Sequence, residues 1–284
     1  MKYLVLGASG MAGHVIAIYL QEKGHEVIGL SRKKIDFCSN INLDVTDFES
    51  LRRYIDEENF DVIVNAIGIL NQSAEEKIDM AIIINSYLPH FLESITKNTK
   101  TKIVQLSTDC VFSGETGNYK ENDFKDGKSF YDRTKALGEI VNSKDLTFRN
   151  SIIGPDINEN GIGLFNWFMT QKNTINGFAK VFWSGVTTIE LAKAIEASVE
   201  QNLTGVYHLV NNENIAKSDL LALFNKYFRN GELEIKELQE PKIDKSLINT
   251  RKEFVFEVNS YDKMVSEMKI WVDKHKLLYQ YEGW

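Results

Sequence analysis

Three short runs constrain this chain more than any other feature. Tyr3-Leu4-Val5-Leu6, Val62-Ile63-Val64 and Ile103-Val104-Gln105-Leu106 are almost unbroken apolar stretches, each flanked by segments with helical spacing. A strand wetted on one face alternates apolar and polar residues, whereas a strand that is apolar throughout must be covered on both faces. Such strands alternating with helices make a parallel sheet with helices packed on each side. The chain is therefore expected to be α/β, with a doubly wound parallel sheet.

The alternation predicts strands at 2–6, 25–30, 61–65 and 102–107, and helices over about 11–23, 48–58, 75–97 and 129–142, with a further strand opening at Leu146. Beyond Pro155 it fades into a Gly- and Asn-rich loop at 158–163. This divides the chain into a dinucleotide-binding domain at 1–155 and a mainly substrate-binding lobe at 156–284, with a strand near 206–210 returning to the main sheet. A content of 43% apolar and 26% charged residues supplies a core, and a net charge of −7 without a long basic block argues against nucleic acid. No segment is apolar for long enough to imply membrane contact, and the opening residues lack the apolar segment of a secretory signal. Of two cysteines, Cys38 and Cys110, neither has metal-ligand or CxxC spacing, so a reduced, cytoplasmic compartment and no metal are expected.

Gly7-Ala8-Ser9-Gly10-Met11-Ala12-Gly13 falls where the first strand turns into the first helix. Glycines there permit a tight turn and close approach of backbone N–H groups to a pyrophosphate, which the positive end of the helix favours. After the second strand, where an acidic residue would select NAD, the chain has Ser31-Arg32-Lys33-Lys34. A hydroxyl and cations suit the 2′-phosphate of NADP, or form a solvated basic loop; NADP is preferred and NAD stays open. Asp44-Val45 is placed to meet the adenine edge. Tyr131 and Lys135, four apart on one helix face, follow the strand ending in Ser107-Thr108-Asp109, so hydroxyl groups at a central strand's carboxyl end can meet them. Tyr19 and Lys23 share that spacing without such a context.

These residues resemble the extended short-chain dehydrogenases/reductases and, within them, the dTDP-4-dehydrorhamnose reductases and related nucleotide-sugar 4-ketoreductases. The likeness is carried by Gly7-x-x-Gly10-x-x-Gly13, Asn65-Ala66-Ile67-Gly68, Ser107-Thr108-Asp109-Cys110-Val111-Phe112-Ser113-Gly114, and Tyr131-Asp132-Arg133-Thr134-Lys135 with Gly138-Glu139, in the family's order across most of 1–155. It implies NADPH-dependent reduction of a 4-keto-6-deoxy nucleotide sugar for surface-polysaccharide precursors, and leaves a homodimer open. Ala66, Ile67, Gly68 and Ser107 would lie along the cofactor. Thr108, or Ser107, would hydrogen-bond the substrate carbonyl beside Asp109, while Tyr131 would give the proton. Lys135 would stabilise the tyrosinate and hold the nicotinamide ribose. Asn85 would support a proton-relay water, or serve as a polar residue of a helix face. Arg251 would pair a diphosphate, or stand as a surface cation. Where family members usually carry Thr and Trp, this chain has Asn150 and Ile152, which removes a substrate-packing surface. Two other activities fit the same pattern: an epimerase or dehydratase with tightly bound NAD, and a non-catalytic dinucleotide-binding regulatory subunit. His208 and the aromatic stretch Phe165, Trp167 and Phe168 are expected to be packing residues.

Overall fold

A computed structural model describes residues 1–158 and 161–281. Of the loop expected at 158–163, residues 159 and 160 lie outside the described residues. The first half alternates as the apolar runs require: β1 (Lys2–Leu6), α1 (Met11–Glu22), β2 (Glu26–Ser31), β3 (Ser39–Asn42), α2 (Phe48–Glu58) and β4 (Val62–Asn65). There follow α3 (Asn71–Glu76), α4 (Ile78–Ala81), a π-helical turn Ile82–Tyr87, α5 (Leu88–Thr96), β5 (Lys102–Leu106), α6 (Phe130–Leu137) and β6 (Leu146–Arg149).

Side chains of β1 alternate between the faces, and both faces are dry. Tyr3 and Val5 join a core with Val15 and Ile16 of α1, while Leu4 and Leu6 join another with Leu51 of α2 and Leu88 and Leu92 of α5. Each such side chain, removed from water, contributes roughly 1.5–3 kcal/mol.

The second half supplies β7 (Ser151–Ile153), α7 (Leu164–Thr170), β8 (Thr174–Phe178), β9 (Val181–Trp183), β10 (Gly185–Thr187), α8 (Thr188–Glu200) and β11 (Gly205–His208). It continues with β12 (Ile215–Ala216), α9 (Lys217–Phe228), β13 (Glu234–Leu238), β14 (Ile243–Asp244) and α10 (Tyr261–Lys274). The main sheet has seven strands in the order β11-β6-β5-β4-β1-β2-β3, with parallel pairing throughout. β11 pairs with β6 from Gly205↔Leu146 to His208↔Arg149. The direction of winding reverses between β1 and β4, and a sheet of this kind opens its ligand crevice at the carboxyl ends there. No helix among the described residues is long and apolar enough to cross a membrane.

Two expectations for the helices are corrected. The segment expected as one helix over 75–97 is broken at Lys77 and widened to π geometry at Ile82–Tyr87. Pro89 explains the widening: it has no N–H to return an i→i−4 bond to the Asn85 carbonyl, and its ring would crowd that oxygen in α geometry. The helix expected to reach Asn142 stops at Leu137. Its start is fixed by a capping box in which Ser129 and Asp132 satisfy each other's backbone N–H groups. Its end is set by Gly138, which lies so close to the π turn that a Cβ there would fall 1.8 Å from the Asn85 carbonyl oxygen.

Candidate active site

The carboxyl ends of β1, β2 and β4 open into a cleft of about 230 Å³. The turn after β1 builds its floor. Gly7 has φ +80, a conformation that costs glycine nothing, and a Cβ on Gly13 would lie 2.1 Å from the Gly7 carbonyl oxygen. Gly10 starts α1 with no side chain over the helix end, so the first-turn N–H groups face the cleft. Gly7, Ser9 and Gly10 line it, together with Ser31, Arg32, Asp44, Val45, Ala66, Ile67 and Gly68. Missed in the sequence were Leu43, Thr46, Met80 and Ile84, which also line the cleft; Leu43, Met80 and Ile84 add apolar wall. Their position after β3, on α4 and in the π turn was the available signal.

Several residues reach this cleft in a different manner from that expected. Gly13 is buried beneath the turn and permits it. The Ser31 hydroxyl is held inside its own loop, donating to the Lys33 carbonyl and, at 3.0 Å, to Asn40 Oδ1. Arg32 stays exposed at the rim, Lys33 lies outside the lining, and Lys34 is paired with Asp36 at the surface. Asp44 accepts from Thr46 N at 3.0 Å and Thr46 Oγ1 at 2.8 Å, and those bonds, with the Arg32 charge, hold its carboxyl below the usual range.

A second cleft, about 360 Å³, continues from Gly10, Ala66, Ile67 and Gly68 toward the end of β5. Met11, Ala12, Ser107, Thr108, Asp109, Tyr131 and Lys135 line it. Thr108 accepts from Cys110 N at 3.1 Å and donates to Asp109 Oδ1 at 3.1 Å. Burial pushes the Asp109 carboxyl up, against the pull of Lys245 and Lys217. Burial likewise raises the Tyr131 phenol above its ordinary range; the Cys110 thiol adds to this, and the Thr108 hydroxyl opposes it. Lys135 Nζ donates to the Leu106 carbonyl at 2.6 Å, and burial pulls the ammonium down to about 8 against the attraction of Glu139. The protein alone thus keeps the proton on Tyr131. Cys110, Asn150, Ser151, Ile152, Asp156, Ile162 and Gly163 are also part of the wall. Ile152 stands in the cleft where the family's Trp was missing from the sequence.

Three expected site residues are placed otherwise. The Ser107 hydroxyl donates to Glu139 Oε1 at 2.7 Å, which leaves Thr108 as the hydroxyl facing the cleft. The Asn85 carboxamide clamps Ile69, accepting from its N–H and donating to its carbonyl, both at 2.9 Å, and also donates to Thr134 Oγ1 at 3.1 Å. It fixes the loop after Gly68 and does not line the cleft. Arg251 is drawn to the opposite end of β11, donating to the Thr204 and Val206 carbonyls at 2.7 Å each and pairing with Glu253. It is no diphosphate ligand of this cleft. His208 is fully buried between Arg149 and the Ile248 carbonyl, and burial lowers its imidazole to about 4. Phe165 and Phe168 are buried, whereas Trp167 is 40% exposed.

The residues present fit a dinucleotide: a turn that tolerates no Cβ at Gly13, an open helix end, and an unbroken path from Arg32 to Lys135. Comparison with known proteins agrees with this geometry. The model of the RmlD substrate binding domain family matches residues 1–241. The chain is 25% identical to a probable low-salt glycan biosynthesis reductase of Haloferax volcanii, over 77% of each chain. A solved structure named as a hypothetical dTDP-4-dehydrorhamnose reductase from Sulfolobus tokodaii superposes with a TM-score of 0.78 at 29% identity, covering 92% of this chain and 98% of that one. A dTDP-4-dehydrorhamnose reductase of Bacillus anthracis, solved in complex with NADP, shares the fold with a TM-score of 0.81 at 18% identity, over 95% of this chain and 99% of that one. The chain belongs to the RmlD substrate binding domain family, and with it to the oxidoreductases of the extended short-chain dehydrogenase/reductase type.

Proposed function

We propose that this protein reduces the 4-keto group of a 4-keto-6-deoxy nucleotide sugar with NADPH. The observation that carries the reading is the meeting of Thr108, Tyr131 and Lys135 in one cleft that continues into the glycine-lined dinucleotide cleft. NADPH, when bound, supplies the hydride. Arg32 would take its 2′-phosphate, the Gly7–Gly13 turn its pyrophosphate, and Lys135 its nicotinamide ribose. Thr108 would orient the substrate carbonyl by a hydrogen bond. Tyr131 would donate its proton to the carbonyl oxygen, and its raised phenol keeps that proton in place until negative charge develops there. Lys135 would then stabilise the tyrosinate.

The names of the Haloferax and Sulfolobus relatives support a nucleotide-sugar substrate in glycan synthesis. Two free cysteines and the lack of a membrane-crossing helix among the described residues support a cytoplasmic reaction. The test is NADPH oxidation, followed by absorbance, on addition of a dTDP-4-keto-6-deoxyhexose. Consumption of one NADPH per sugar supports the reading. Purified protein that carries stoichiometric oxidised NAD and turns sugar over without net consumption would establish the epimerase or dehydratase reading instead. Dinucleotide binding without turnover of any keto sugar would establish the regulatory one.

A further inference from the structure

The glycine turn that opens α1 is held by residues beyond α10, through a buried histidine that the reaction as described does not use. His14, in the first turn of α1, is fully buried. Its Nδ1 lies 2.9 Å from the Gly10 carbonyl oxygen, and its Nε2 lies 3.0 Å from the Tyr279 hydroxyl. The Tyr279 oxygen accepts in turn from Trp271 Nε1 of α10 at 2.9 Å. The Tyr279 ring meets His14 edge to face, centroids 5.7 Å apart, and stacks on Tyr281 at 5.8 Å.

Chemistry gives these bonds one direction. An indole N–H only donates and a peptide carbonyl only accepts, while a neutral imidazole has one donor and one acceptor. Trp271 therefore donates to the Tyr279 oxygen, the Tyr279 hydroxyl to His14 Nε2, and His14 Nδ1–H to the Gly10 carbonyl. In the opposite tautomer two lone pairs would face each other across the 2.9 Å between Nδ1 and that oxygen. Burial lowers the imidazole to about 4, which keeps it neutral at ordinary pH.

The relay ends on a peptide of the dinucleotide site. The Gly10 carbonyl belongs to the same peptide as the N–H of Met11, the first residue of α1, and both residues line the catalytic cleft. That carbonyl also accepts from His14 N at 3.1 Å. Two donors on one oxygen fix the plane of the peptide and, because linked hydrogen bonds polarise one another, strengthen its N–H as a donor. An anion at this helix end is met by such N–H groups.

We propose that His14 is a positioning residue of the dinucleotide site: oriented by Tyr279 and Trp271, it fixes the Gly10–Met11 peptide so that its N–H meets the cofactor's pyrophosphate. The inference rests on the dinucleotide reading of the cleft and adds to it a relay from beyond α10. Its signature differs from that of Arg32. The pyrophosphate is common to NADPH and NADH, so loss of the relay weakens both alike.

The experiment takes two readouts on the full chain. Two-bond 1H–15N correlation NMR reports the tautomer of His14, whose signal is the histidine resonance that moves in Tyr279→Phe. The Nδ1–H form is expected across neutral pH, and the Nε2–H form overturns the proposal. Fluorescence titration gives Kd for NADPH and NADH. His14→Phe keeps a ring of similar volume and removes the donor to Gly10, so both constants should rise roughly 3- to 10-fold, within the range of one net hydrogen bond. Tyr279→Phe, which deletes only the hydroxyl that orients the imidazole, should raise both by a smaller and equal factor. Tyr19→Phe is the control for a merely structural loss: it removes a hydrogen bond from the same helix, away from Gly10, and should leave both constants as they are. Constants unchanged in His14→Phe, or in Tyr279→Phe where His14→Phe does not fold, overturn the proposal, as does a loss confined to NADPH. An unmodified protein that binds neither dinucleotide overturns the cofactor reading itself, which separates that failure from this one.

Discussion

Arg32→Ala should separate the two nicotinamide cofactors, and the size of the effect follows from where Arg32 sits. Its side chain lines the dinucleotide cleft at the end of β2, exposed, beside Asp44 and without an ion pair among the described residues. A charge-assisted hydrogen bond to phosphate contributes about 1.5–3 kcal/mol, and water competing for an exposed guanidinium keeps the value in the lower half. About 1.5–2 kcal/mol corresponds to roughly 10–30-fold in Kd at 1.4 kcal/mol per decade. Removing Arg32 also leaves the Asp44 carboxylate facing the 2′-phosphate unopposed, which acts in the same direction. NADH lacks that phosphate and should bind the variant almost as it binds the unmodified protein. Fluorescence titration of NADPH and NADH against both proteins measures the difference. The NADPH loss should shrink in about 1 M salt, where the screening length is about 3 Å. Equal losses for the two cofactors would mean that Arg32 acts on the adenine they share, and an unmodified protein that prefers NADH would refute the assignment.

Tyr131→Phe keeps the ring and deletes the proton donor, so turnover should drop about 10² to 10⁴-fold with NADPH affinity nearly unchanged; steady-state kinetics and cofactor titration check both. Tyr19→Phe is its control: it removes a 2.9 Å hydrogen bond to Glu196, so a thermal melt should show about 0.5–1.5 kcal/mol less stability while turnover is unaltered. In Gly13→Ala the new Cβ must displace the Gly7 carbonyl from 2.1 Å, and NADPH should no longer raise the melting temperature. The pH profile has a definite sign. Burial sets the Lys135 ammonium at about 8, so its charge is present below that pH and lost above it, and kcat/KM for reduction should fall as pH rises through about 8.

What could be read in the sequence is local, and what could not is brought together by the fold. The turn at Gly7–Gly13 and the buried runs of β1, β4 and β5 each declare themselves within a few residues, because both depend on backbone geometry and on the absence of polar side chains. The pairing of Arg149 with Glu139 and His208 joins positions that nothing in the chain links until β6 and β11 lie side by side. Arg251 shows the opposite failure. The family resemblance suggested a diphosphate ligand, but the carbonyls of Thr204 and Val206 claim it. The π turn was legible in principle, since Pro89 inside an expected helix removes the donor that the Asn85 carbonyl would need.

The central claim is that hydride from the dinucleotide cleft reaches the sugar's C4 while Tyr131 gives a proton to the oxygen on that carbon. It is tested most directly by supplying NADPH deuterated at C4 of the nicotinamide with a dTDP-4-keto-6-deoxyhexose and locating the label in the product by NMR. The account predicts one deuterium on C4 of the sugar for each NADPH oxidised, and about 10² to 10⁴-fold less labelled product when Tyr131→Phe replaces the protein at equal concentration and time. A sugar product without deuterium at C4, formed with no net oxidation of NADPH, would contradict it.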